Sequence, residues 1–363
     1  MKILFIAICF LVSPFANAQQ FTLSDFLTEN DSLDKFVDSV FNTMDEKSIV
    51  AQLLMSAVGR LGSPEDSIKS QIKNNRIGGV LLLNGTVDQF KGWTTEYEAM
   101  NKEYGNLPFL YSADAEPSLV NRKMLGSTPV PKANEIMSTM ELQATAKTIS
   151  NDLNKVGINY NFAPVVDVSS NKTVGYRGFG VTPKNIIPFS QEFIKITQEQ
   201  NIIATAKHFP GHGLVSGDTH ASLQVIDGEL KELHNYPPLI EDGVLSIMVA
   251  HIAVRNNHNF NTQGLPATIS ETIIQNLLRD SLNFNGLIVT DAMNMGGVSK
   301  IQDAAIKAID AGCDIILMPL NTSQTHIDIL KKYREEQVFQ EKVNKASKRV
   351  IRIKICLGLI EPN

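Results

Sequence analysis

The densest chemistry in this chain is the run Lys207-His208-Phe209-Pro210-Gly211-His212-Gly213, followed by Asp218-Thr219-His220. Two chemistries fit it. In one, His208, His212, Asp218 and His220 are candidate metal ligands gathered by a loop. In the other, Lys and His donate hydrogen bonds to sugar hydroxyls while an Asp–His pair moves protons. The spacing favours the second. Asp218 and His220 are two apart, so in an extended loop their side chains share a face. A carboxylate beside an imidazole raises its pKa and fixes its tautomer. Lys207 beside the cluster would repel a divalent cation. Neither a helical His-Glu-x-x-His nor a His-x-His after the first strand candidate is present.

Asp291 is the second reactive position. It closes the apolar run 286–291 and has no basic neighbour in sequence, so it is available as a nucleophile. A carboxylate nucleophile with a separate proton donor is the retaining glycosidase scheme. The donor there is usually a second carboxylic acid, so a His donor would be a variant of it.

These residues need elements to position them. Near-continuous apolar runs predict eight strands, at Gln52–Val58, Gly78–Leu83, Pro108–Asp114, Ile158–Val166, Ile202–His208, Leu245–His251, Gly286–Asp291 and Asp314–Met318. Helix periodicity lies between them, at Glu141–Val156, Pro188–Gln200 and Ile269–Leu282, and Gly157 stops the first. Eight strands with helical connections and no long linker predict a single-domain α/β fold, a (β/α)8 TIM barrel. A doubly wound open sheet is the alternative, weakened because no phosphate-cradling glycine fingerprint follows any strand. Strand after strand ends in an ionisable group: Asp114, Asp167, Lys207-His208, His251 and Asp291. In a barrel these ends converge on one rim, which predicts an enzyme.

Composition sets outer limits. The chain has 363 residues, 43 % hydrophobic and 20 % charged, an ordinary globular balance. Lys and Arg total 33 against 38 Asp and Glu, so no basic excess exists to hold nucleic acid. Three cysteines exclude a disulfide scaffold. Lys2, the apolar run from Ile3 to Phe15 and Ala16-Asn17-Ala18 predict a signal peptide over residues 1–18. The mature chain, 19–363, is then exported to the periplasm or outside the cell, with a net charge of −6 in place of −5. No later segment is apolar enough for stable membrane insertion.

The sequence also resembles family 3 glycoside hydrolases, in the single-domain bacterial β-N-acetylhexosaminidase (β-N-acetylglucosaminidase) branch. The resemblance runs from Met44 to the last strand. It is carried by the runs 161–168 (NFAPVVDV), 175–180 (GYRGFG), 206–213 (AKHFPGHG), 218–220 (DTH) and 289–295 (VTDAMNM). It implies that Asp291 is the nucleophile, forming a covalent glycosyl-enzyme. It makes His220 the general acid/base, with Asp218 as its partner. Lys207, His208, Arg177, Asp114 and Arg122 match residues that bind the sugar. The implied reaction is retaining exo-hydrolysis of terminal β-linked N-acetylglucosamine, with exported cell-wall (peptidoglycan) fragments as a fitting source. No cofactor or metal is implied, the partner is a carbohydrate, and no oligomeric partner is assigned.

Departures cluster near Asp114. The family's Glu-Gly-Gly-Arg-Val is here Glu116-Pro117-Ser118-Leu119-Val120, and Gly178 replaces a serine beside Arg177. Leu214 stands where an aspartate commonly follows Gly-His-Gly. These keep open a β-glucosidase-like activity on neutral sugars. A metal-dependent barrel hydrolase and a non-catalytic sugar-binding descendant are the readings from other classes. Should His220 only brace the loop, Glu116 or Asp167 would be the proton donor. The chain ends soon after the eighth unit, so the barrel itself is expected to supply the acid/base.

Overall fold

The computed structural model describes residues 21–168, 175–215, 217–219 and 221–361. The leader expected over residues 1–18, and His220, lie outside the described residues. Eight parallel strands follow in chain order: β1 (Leu54–Gly59), β2 (Gly79–Thr86), β3 (Leu110–Ala113), β4 (Tyr160–Asn161), β5 (Ile203–Phe209), β6 (Ser246–Val249), β7 (Leu287–Thr290) and β8 (Ile316–Leu317). Each pairs with the next from β1 to β7, and β8 pairs with β1. The circle closes where Thr290 donates its backbone N–H to the Ile315 carbonyl at 3.0 Å. The architecture is therefore the expected barrel.

Strand length departs from expectation in several places, and of Asp314–Met318 only Ile316–Leu317 is regular strand. Of Ile158–Val166, only Tyr160–Asn161 is regular strand. Pro164 has no N–H to give to a ladder. The chain beyond Asn161 still follows β5, with Thr205 N donating to Ala163 O and Val166 N to Lys207 O, both at 2.8 Å. The Leu245–His251 run stops at Val249 and restarts as Ile252–Arg255, which pairs with Gln224–Asp227 in a parallel ribbon outside the barrel.

The barrel interior is filled by alternate residues. Met55, Leu81, Leu110, Tyr160, Ile203 and Val289 belong to one buried cluster. The helix Asp31–Asn42 closes the N-terminal end, adding Leu33 and Val37 to that cluster. Asn30 starts this helix by accepting from Leu33 N at 3.1 Å. The first two helices match their predicted periodicity, with shifted ends. The Glu141–Val156 helix is Thr139–Lys155, capped by Ser138 and followed by Gly157 at φ +80°. Its Leu142, Ala146, Ile149 and Leu153 are buried, as that stripe requires. The second helix runs Pro183–Glu199, so Pro188 lies inside it. The third is π-helical over Thr272–Ser281. No helix of the described residues is long and apolar enough to cross a membrane.

Candidate active site

Two-residue periodicity puts the reactive side chains in the barrel mouth. On β7 the inward Leu287 and Val289 are followed at the same parity by Asp291. Ile203 on β5 leads in the same way to Lys207, and Leu110 on β3 to Asp114. Asp291 is held at the strand end by its own N–H, which donates to Val249 O at 2.9 Å. Asp114, Lys207 and Asp291 line a cavity of about 410 Å³ together with Arg122, Arg177, His208 and Asp218. Its remaining wall is largely apolar, and Leu119 and Met248 are part of it.

One side of the cavity is a fixed charge network. Lys207, 1 % exposed, donates to Asp114 Oδ1 at 2.9 Å and is 2.6 Å from Glu116 Oε1. Arg177 grips Glu116 with two bonds, Nε to Oε2 at 2.8 Å and a terminal nitrogen to Oε1 at 2.5 Å. Lys123 stands 3.5 Å from Asp114 Oδ2. Burial opposes the charges of Asp114, Glu116, Arg177 and Lys207. For Glu116 the cations Arg177 and Lys207 outweigh it and hold the carboxyl below its ordinary value. For Asp114 the lysines Lys207 and Lys123 do the same. The Asp114 and Glu116 carboxylates in turn raise Lys207 above the usual lysine value. The wall therefore presents ionised acceptors and donors in fixed positions, which suits sugar hydroxyls that both donate and accept.

The loops behind this network are braced by side chains. Asn161 Oδ1 accepts from Ala115 N at 3.1 Å, and its Nδ2 donates to Ala115 O at 3.3 Å. This fixes the backbone between Asp114 and Glu116. Ser118 donates to Tyr176 O at 2.5 Å and accepts from Ala133 N at 2.9 Å. The departure at Ser118 thus ties the Arg177 loop to the Asp114 loop.

The five strand-end groups separate into two sets. Asp114, the Lys207-His208 pair and Asp291 reach the cavity. Asp167 sits behind His208, taking its Nδ1 at 2.6 Å and the His212 N–H at 2.8 Å. Against the cost of burial, the charge of His208 holds Asp167 below the ordinary carboxyl value. It orients the imidazole in place of donating a proton. Glu116, likewise ionised and gripped by two cations, has no proton to give. His251 is absorbed by structure: one ring nitrogen meets Thr268 at 2.9 Å and the other the Ala292 carbonyl at 3.0 Å. It braces the turn that carries Asp291. Of the candidate metal ligands, His212 is turned toward Thr219 at 2.9 Å. Among the described residues no group of three His, Cys, Asp or Glu is placed to hold a metal ion.

Arg122 is exposed, and its side chain makes no hydrogen bond to the described residues. It forms a wall common to this cavity and to a second one of about 490 Å³, lined by Asn84, Gln89 and Trp93 among others. Sequence reasoning missed Glu232, which is 3 % exposed and lies beneath the Gly-His-Gly loop. Burial and the neighbouring Asp167 push its carboxyl up to about 8, against the pull of three backbone N–H groups. No sequence motif marks it.

Comparison with known proteins agrees with this fold. The family model "Glycosyl hydrolase family 3 N terminal domain" matches residues 43–353. A β-N-acetylglucosaminidase/β-glucosidase of Cellulomonas fimi is 29 % identical over 309 residues, covering 78 % of this chain and 53 % of its own length. A β-hexosaminidase of Idiomarina loihiensis is 29 % identical, covering 74 % of this chain and 84 % of its own. The chain thus spans about half of the first relative and most of the second. Among solved structures, a family 3 β-N-acetylglucosaminidase from Paenibacillus sp. superposes with a TM-score of 0.79 at 27 % identity, covering 87 % of this chain and 63 % of that one. With the family model matching most of its length and a charged site at the barrel mouth, this chain belongs to glycoside hydrolase family 3.

Proposed function

We propose that this protein is an exported β-N-acetylglucosaminidase that hydrolyses terminal β-linked N-acetylglucosamine with retention, through a covalent bond to Asp291. The carrying observation is the placement of Asp291 across the barrel from Asp114, with Lys207 and Arg177 on the same cavity of about 410 Å³. Three strands lie between β3 and β7 in either direction around the barrel, so the two lie on opposite sides of the mouth. A sugar ring held by its hydroxyls on the Asp114 side presents its anomeric carbon to Asp291.

Asp291 then attacks and the leaving group departs with a proton from His220. His220 next takes a proton from water, which displaces the sugar from Asp291. Asp218, on the cavity wall, orients His220 and supports its charged form. An imidazole donor places no second negative charge beside Asp291. Amino-sugar glycans such as cell-wall fragments are the substrates that export would provide. The relatives named as hexosaminidases support the N-acetylglucosamine reading.

A β-glucosidase-like activity is the second reading. Leu119, on the cavity wall where an arginine is usual in the family, favours it. A panel of nitrophenyl β-glycosides decides between them. Turnover of the N-acetylglucosaminide at least about tenfold above the glucoside supports the proposal. The reverse order transfers the assignment to neutral sugars.

A further inference from the structure

Glu232 lies outside the cavity, immediately before the short turn Leu233–Asn235. Its Oε1 accepts from Val168 N at 2.6 Å and its Oε2 from Leu214 N at 3.2 Å, and the Gly213 N–H also bonds to it. Val168 follows Asp167 at the rim, whereas Gly213 and Leu214 open the loop leading to Asp218. One buried carboxyl group therefore joins two active-site loops that are remote in sequence. The same segment adds a second tie, with Asn235 Nδ2 donating to Val166 O at 2.8 Å. Asp167 holds the preceding stretch of the loop through the N–H groups of His208 and His212. The Asp167 and Glu232 side chains thus divide the loop backbone between them.

The glycines of the Gly-His-Gly run fit this clamp. A Cβ on Gly211 would come within 2.6 Å of Glu232 Cβ, and φ there is +133°. A Cβ on Gly213 would overlap the Val168 carbonyl oxygen and come within 2.6 Å of Glu232 Oε1. Both positions are side-chain-free where the loop closes over Glu232.

We propose that Glu232 is a positioning residue for proton transfer: by pinning Gly213 and Leu214 against Val168 it sets how the Asp218 segment reaches the cavity. This rests on the reading of Asp218 and His220 as the proton relay. Glu232 touches neither the hydroxyl-binding wall nor Asp291, so its loss spares sugar binding and nucleophilic attack. What it removes is acid and base assistance.

The test uses Glu232→Gln, Glu232→Ala and Gly213→Ala on aryl β-N-acetylglucosaminides of graded leaving-group ability, with folding checked by circular dichroism. The inference predicts that kcat/KM for the poorest leaving group falls about 100-fold while the most activated substrate stays within about 5-fold. KM for the activated substrate is unchanged, and azide raises its kcat. Gly213→Ala, which displaces the loop with the Glu232 side chain intact, reproduces the selective loss. Should Glu232→Ala not fold, the other two variants carry the test. A uniform loss across leaving groups, or none, in folded variants overturns the inference. His220→Ala run in parallel separates the two claims. If it lacks the selective pattern, the relay reading fails; if only the Glu232 and Gly213 variants lack it, the clamp alone fails.

Discussion

Glu116 shows how a residue's role depends on neighbours that sequence does not reveal. As a carboxylic acid next to Asp114 it is a reasonable proton donor. In the fold it is fully buried and shared by Arg177, 61 residues away, and Lys207. Glu116→Gln leaves those two cations short of a counter-charge. It should destabilise the protein by about 3–5 kcal/mol, read by urea unfolding at pH 7. The pH dependence has a definite sign. Glu116 and Asp114 are both depressed in the folded state, so their stabilisation is present above their unfolded values and lost as pH falls. Unfolding free energy should therefore drop as pH falls below 4.5, the ordinary Glu value, and this drop should be shallower in Glu116→Gln. An equal slope in both proteins contradicts the assignment. At the same scale, His220→Ala should slow substrates with poor leaving groups about 100-fold or more and activated ones far less. Equal slowing of both would remove His220 from the acid/base role.

At the scale of elements, the apolar runs located all eight strands because a strand buried on both faces leaves an unbroken hydrophobic signature. The ionisable groups that end these runs also put Asp114, Lys207 and Asp291 at the rim. The brevity of β4 and the ribbon of Ile252–Arg255 with Gln224–Asp227 were not legible. Short apolar runs carry no mark of which partner they pair with. Nor was the bracing legible, since Asn161, Ser118 and Glu232 act on backbone groups distant in sequence. Asn161→Ala tests this bracing. It strands the buried Ala115 N–H and should cost about 1–3 kcal/mol by denaturant unfolding. It should also lower kcat/KM by loosening Asp114 and Glu116. A loss of stability with unchanged kcat/KM would confine Asn161 to the scaffold.

At the scale of the whole molecule, the barrel brings to one rim groups from four different strands or the loops after them. The resulting site carries fixed cations, Lys207 and Arg177, where a metal-dependent hydrolase would gather anionic or neutral ligands around an ion. Dialysis against a strong chelator should therefore leave glycosidase activity unchanged, and loss restored by zinc would revive the metal reading. The central claim is that Asp291 becomes glycosylated. It is tested most directly by acid-quenching the His220→Ala enzyme during turnover of an activated β-N-acetylglucosaminide and mapping the peptides by mass spectrometry. The account predicts one N-acetylhexosaminyl group on the peptide containing Asp291. Label on another carboxylate, or turnover by this variant with no labelled peptide and inversion at the anomeric carbon, would contradict it.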